Sequence, residues 1–395
     1  ASPAPLGAPL AKKVAKHIEE RAIKRQEPVG LIRAAQLLAN AGQQRAAVDT
    51  LSVGWESVRD LGFFEAYLKT VASIVGAGDL GARLKLLSAR ARMRQGSPYL
   101  VRDELIELAR HRDMWTRTHA LEALTFVQTQ IGAHAEVVKS YDALKRLSRD
   151  PRQLLIAGTR AAESMMRIGR IGDAEQLGKS LLTRLRGKKE AQLSGELHRL
   201  LARSAEQSGR LTDAVREGQA AVTDFCKAGD LYHAATAEGF IGDLYRQTGE
   251  FELAREAFGR FRTLAEKWGD RNLLQIAELA DAWVALDVGD ITHAAKQVAA
   301  VEKEMSLAPS RRLRRYLAAA RALLEAGRGQ HDTAATALTS VVEMWEEAGQ
   351  VATADTLRAQ QVRSLIATGE LPKAREIVDA ALARLDARTA APRVA

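Results

Sequence analysis

Between residues 231 and 261 the small and apolar positions fall into two helical stretches separated by a glycine. Ala235, Gly239, Gly242 and Tyr245 recur at three- and four-residue steps, which places them on one face of a helix. Gly242 carries no side chain at a point on that face where two helices would approach closely. Gly249 follows the periodic run, where a helix end favours a left-handed residue. Glu250 opens the next stretch, and its charge suits the positive end of the helix dipole. Ala254, Phe258 and Phe261 then continue one apolar face. The pattern predicts a helix, a tight glycine corner, and a second helix folded back on the first.

The pattern repeats. Gly169, Gly209, Gly249, Gly289, Gly329 and Gly369 stand 40 residues apart, and alanine follows five residues after each, at 174, 214, 254, 294, 334 and 374. Large or apolar residues come four later in Phe258, Val298, Leu338 and Val378. One hairpin cannot bury both its faces, so a period in this range predicts stacked helix pairs.

Ile241, Gly242, Tyr245, Gly249, Phe251, Ala254 and Phe258 resemble the signature of a tetratricopeptide repeat, although 40 residues is longer than the usual period of that family. The Gly-Asp pairs at 229–230 and 269–270, with the variant Gly349-Gln350, are similar to the long repeats of bacterial regulatory proteins. Those include the sensor regions of large LuxR-type regulators and related signalling ATPases. The resemblance implies an all-α, right-handed superhelical solenoid of antiparallel helix pairs. It also implies a non-catalytic role as a protein-interaction scaffold or sensor, in a bacterial cytoplasm, and a fragment of a larger regulator fits it as well.

The domain reading follows the repeat. Residues 1–8 read as a disordered tail, trimmed and not a targeting peptide. Residues 9–27 read as a basic capping helix with Leu10, Val14 and Ile18 on its apolar face. Residues 28–150 form irregular repeats, with glycines at 42, 78, 96 and 132. A pair is expected over 28–59 and another over about 62–95. The segment 97–111 is either an unpaired helix or a register shift. Residues 151–387 form the regular array, and 388–395 a frayed tail.

Composition adjusts this picture in few places. Hydrophobic residues make up 46% but aromatics only 5%, so the packing must rest on alanine and leucine. Cys226 is the only cysteine, which excludes an internal disulfide and an all-cysteine metal site. No apolar run approaches 18 residues, so no membrane-spanning helix is expected. The net charge of +9 permits acidic partners or nucleic acid without requiring them.

Candidate chemistry is sparse. No catalytic residues, metal ligands or cofactor are expected. The eight histidines are scattered. His111 and His119 share a helix side only if no break intervenes near 112. No phosphate-binding loop or Ser-His-Asp grouping is recognisable. The basic runs Arg83–Arg94, Arg184–Lys189 and Arg311–Arg315 are either solvated surface or a phosphate-contacting stripe. Nucleic-acid binding is therefore the alternative function. Arg311, Arg312, Arg314 and Arg315 open a helix against its dipole, which points to an acidic contact there.

In tetratricopeptide arrays the first helix of each pair lines the concave, partner-binding side. Carrying that register from Gly249 places Asp243 and Arg246 in the groove, with Glu196, Arg199 and Arg203 from the preceding repeat. The following repeat contributes Ile276, Leu279, Trp283 and Leu286. Their helix is apolar nearly all round, so it is buried, meets a partner, or pairs with a second copy. Trp283, beside Arg203 and Arg246, is the expected anchor for a protein or peptide. The chain has only Asn40 and Asn272, so the asparagine-dependent peptide clamps of the family are not matched.

Overall fold

The corner after each first helix is closed by backbone hydrogen bonds that require a left-handed residue. At Gly249 φ is +79°. Its own N–H donates to the Arg246 carbonyl at 3.2 Å, and the next N–H, of Glu250, donates to the Tyr245 carbonyl at 2.9 Å. The glycines at 169, 209, 289, 329 and 369 share this geometry, with φ between 71° and 82°. The computed structural model describes residues 7–25, 27–96, 98–187, 189–305 and 309–390. Among them the chain is built of twenty helices and no strand. It divides into two compact units, Ala1–Leu177 and Gly178–Ala395.

The first unit holds α1 (Ala8–Arg25), α2 (Pro28–Asn40), α3 (Gln44–Leu61), α4 (Phe64–Ser73), α5 (Gly78–Arg94), α6 (Pro98–Leu108), α7 (Met114–Gln130), α8 (His134–Leu147) and α9 (Pro151–Arg167), and ends inside α10 (Ile171–Leu185). From α1 to α9 neighbours in sequence pack on one another, and α3, α5, α7 and α9 also touch in succession. Helix α1 packs on α2, but only in part through the expected face. Leu10 and Val14 are exposed, while Ile18 is partly buried against the core and Ala11, Ala15 and Ala22 are fully buried. Gly30 explains the exchange, since a Cβ there would lie 2.7 Å from Ala22 Cβ. The two helices approach too closely for the larger side chains. Helix α6 packs against both α5 and α7, and so is not left without neighbours.

The second unit holds the rest of α10, then α11 (Ala191–Gln207), α12 (Leu211–Ala228), α13 (Leu231–Gln247), α14 (Phe251–Trp268), α15 (Arg271–Asp287), α16 (Ile291–Glu304), α17 (Arg311–Gly327), α18 (His331–Glu347), α19 (Val351–Ala367) and α20 (Leu371–Ala390). The alanines five residues past each corner are seats for the facing helix: Ala214, Ala254, Ala294 and Ala334 are fully buried and Ala374 nearly so. Glycines in the first helices receive rings from the second helices. A Cβ on Gly242 would lie 2.5 Å from Phe258 Cε1, and one on Gly195 would lie 2.8 Å from the Phe225 ring. Phe258, Val298 and Leu338 are buried, whereas Val378 on α20 is exposed. Helix α20 packs on α19 and is the last helix among the described residues. The expected tails lie largely outside the described residues, at 1–6 and 391–395, and α20 continues through 388–390. No helix among the described residues is long and apolar enough to cross a membrane.

Candidate functional site

The second unit encloses a cavity of about 250 Å³ between α11, α12, α13, α17 and the start of α19. Helix α11 offers Arg199 and Arg203, one turn apart. Helix α13 offers Tyr232, Thr236, Phe240 and Asp243, a single face at steps of four, four and three. Helix α17 offers Arg312, Arg315 and Tyr316. Trp345 of α18 and Gln350, the N-cap of α19, complete the wall.

Aromatic faces hold the arginines in place. Arg203 lies 5.7 Å from the Phe240 ring centre, Arg312 5.9 Å from Tyr316, and Arg315 5.6 Å from Trp345. These are cation–π distances. The rings support one another: Trp283 stacks on Tyr316 at 5.2 Å, and Tyr316 meets Trp345 edge-on at 4.9 Å. Arg246 lies 5.2 Å from the Trp283 ring on the buried side of the same cluster.

One carboxylate sits among these cations. Asp243 is 13% exposed, and its Oδ2 accepts from the Tyr316 hydroxyl at 3.5 Å. Burial pushes the Asp243 carboxyl up, while Arg246 and Arg312 pull it down. Burial, aided by the Asp243 charge, lifts the Tyr316 hydroxyl to about 12. Nearby, burial raises the Glu206 carboxyl to about 7, with Arg203 opposing and Asp243 adding to the shift. Burial lowers Arg315, and the like charge of Arg312 adds to the effect. The cavity can therefore bind through fixed cationic donors and ring faces.

Of the sequence candidates, Arg199, Arg203, Asp243, Arg312 and Arg315 line this cavity. The Arg311–Arg315 run splits by helical phase. Arg311 and Arg314 are exposed, while Arg312 and Arg315 turn inward. Near this helix start stands a carboxylate of the chain itself, Asp243, which feels Arg312. The start itself is capped by Ser310, whose hydroxyl accepts from Leu313 N at 3.1 Å.

The α15 residues are placed differently from the open groove expected of them. Ile276, Leu279 and Trp283 are buried in the core and do not line the cavity. Leu286 is partly buried against the same core. The all-round apolar character of α15 reflects packing, because α17 and the Trp345 ring cover Trp283. Arg246 is buried too, donating from Nη1 to Asp287 Oδ2 at 2.8 Å. Glu196 is half-buried and lies off the cavity wall.

The sequence did not single out Tyr232, Phe240 or Trp345, and it marked Gln350 only as part of the repeat pattern. A usable signal existed: in a chain only 5% aromatic, Trp283, Tyr316 and Trp345 fall on α15, α17 and α18.

Other candidate chemistry resolves in the first unit. Three of the five basic residues of α5 are matched by carboxylates: Arg83 pairs with Asp113 at 2.9 Å, Arg90 with Glu122 at 3.6 Å, and Arg92 with Glu104. His111 and His119 are separated by the break before α7, and His119 Nδ1 is 2.8 Å from the Trp115 carbonyl. Among the described residues no group of three or more His, Cys, Asp or Glu side chains could hold a metal ion.

No family model matches the chain, and no curated protein matches it. Solved structures do resemble it. A Rap protein complexed with Competence and Sporulation Factor shares 14% identity, with 92% of this chain and 98% of that one covered, at a TM-score of 0.59. The apo form of RapI shares 11% identity over 87% of this chain and 99% of that one, at a TM-score of 0.54. At such identities the likeness concerns the fold. The fold is a tetratricopeptide-like helical-repeat solenoid, all-α and built of consecutively packed helices.

Proposed function

We propose that this chain is a non-catalytic regulatory scaffold that takes a segment of a protein or peptide into the cavity of its second unit. The observation that carries the reading is the convergence of Arg199, Arg203, Arg312 and Arg315 on one concavity, three of them seated on aromatic rings. Arginine and large aromatics are the side chains that dominate binding energy at interfaces. Holding them in place lowers the ordering cost on association. The fold supports the reading by analogy, since one of the similar structures was solved with a bound factor. In this reading Trp283 and Arg246 act from behind the wall, supporting Tyr316 and Trp345 without touching the partner.

The test is affinity capture from nuclease-treated host lysate, comparing the parent with an Arg199→Ala/Arg203→Ala double variant of unchanged helicity. Defined protein or peptide partners that persist after nuclease and are lost from the variant are expected. Partners that vanish with nuclease, or that bind both proteins equally, would refute the cavity as the site.

A further inference from the structure

Among the residues that line the cavity, Trp345 and Arg315 each carry a buried donor without an acceptor, and Asp243 carries a buried Oδ1 without a donor. Trp345 is 2% exposed, and its indole Nε1 has no hydrogen-bond partner. Arg315 Nε is likewise buried and unpartnered. Both residues line the same concavity, with the Arg315 guanidinium over the Trp345 ring. Buried donors are almost always satisfied in folded proteins, so two orphans on one cavity wall call for an acceptor.

The charges around them indicate what kind of acceptor. Arg312 has Asp243 and the Tyr316 hydroxyl near it. Arg203 faces Glu206, and both Arg199 and Arg203 are engaged by other groups of the chain. Arg315 differs. Among the described residues it makes no ion pair, and the like charge of Arg312 acts on it. One positive charge is therefore left over, beside an indole donor. Asp243, on the same wall, disfavours a more highly charged anion such as a phosphate dianion.

We infer that the cavity recognises a single carboxylate of a peptide segment, accepting hydrogen bonds from Arg315 and from Trp345 Nε1. This rests on the peptide-binding reading above and names the group that the site selects. The carboxylate belongs either to an Asp or Glu side chain or to a chain terminus, and the chemistry at Arg315 is the same for both.

Three pools of random octapeptides separate the outcomes on immobilised full-length protein: amidated peptides without Asp or Glu, amidated peptides with them, and free-acid peptides without them. Retention is read by mass spectrometry. At least one carboxylate-bearing pool should be retained about 10- to 100-fold over the carboxylate-free pool, the scale of a charge-assisted hydrogen bond. The pool retained identifies the source. Arg315→Gln should abolish the preference, whereas Arg314→Gln, exposed on the same turn, should keep it. Trp345→Phe keeps a ring and removes the donor, so it should weaken the preference several-fold even if Arg315→Gln proves unstable. Equal retention of the carboxylate-free pool would overturn this inference and leave the peptide reading standing. So would a preference that survives Arg315→Gln, or displacement by inorganic phosphate but not by acetate. Retention of no pool would overturn both.

Discussion

Gly242 and Gly259 make a controlled pair, because both lie inside helices of the same hairpin and only one faces a ring. A Cβ on Gly259 would meet nothing within 4 Å. Gly259→Ala should therefore gain most of the helix-propensity difference, about 0.5–1 kcal/mol. A Cβ on Gly242 would lie 2.5, 2.7 and 2.9 Å from three atoms of the Phe258 ring. Phe258 is 3% exposed and packed in the core, so the ring has little room to withdraw. Overpacking of this kind costs about 1–3 kcal/mol, which exceeds the propensity gain over most of that range. Gly242→Ala should lower stability by about 1–2 kcal/mol in urea unfolding followed by circular dichroism, while Gly259→Ala raises it. Shrinking the ring tests the cause: in a Phe258→Leu background the penalty of Gly242→Ala should fall by at least half. A penalty of the same size in both backgrounds, or Gly242→Ala as stable as Gly259→Ala, would refute the contact as the reason for glycine.

Three further outcomes follow from the same structure. Trp283→Ala empties the centre of a buried ring cluster and should cost about 3–5 kcal/mol, read by chemical unfolding; a loss under about 1 kcal/mol would mean that the cluster is loosely packed. Glu206 is raised from 4.5 to about 7, chiefly by burial, so its contribution is fully present below about pH 4.5 and is lost as pH rises through 7. Over that window the parent should lose up to about 3 kcal/mol relative to Glu206→Gln, and parallel stability curves from pH 4.5 to 8 would contradict it. Asp113 caps α7 through Thr116 N and also pairs with Arg83, whose hydrogen bonds hold its carboxyl well below the usual range. Asp113→Ala should cost about 2–4 kcal/mol at neutral pH, with the gap from the parent closing as pH falls below the ordinary aspartate range; a gap that stays constant into acid would exclude the ion pair as its source.

The regular array was readable because its determinants are local. A left-handed glycine corner and an alanine seat five residues later need only one hairpin to explain them, and each recurs at a fixed interval. The first unit was harder to read for the opposite reason. Its α4 and α6 are short, of 10 and 11 residues, and its glycines do not keep a period. The buried face of α1 is a stripe of alanines that hydrophobicity alone ranks below Leu10 and Val14. What selects the alanines is the close approach of Gly30, a tertiary fact absent from the α1 sequence.

The cavity was half legible on the same terms. The register of one repeat put Arg199, Arg203 and Asp243 on one side by helical phase, and these three line the cavity, whereas Glu196 and Arg246, put there by the same register, do not. Trp283 could not be placed that way. An apolar helix is equally consistent with a core or a binding surface, and the residues that decide between them, Tyr316 and Trp345, lie 33 and 62 positions further along. The two rings give Trp283 to the core, and they also give the wall its arginines, because Arg312 and Arg315 each lie over one of them. Burial of Trp283 and exposure of a cationic wall are thus one arrangement. Any change that loosens the ring cluster should also unseat Arg315, so a core variant such as Trp283→Ala is expected to weaken binding without removing a contact to the ligand.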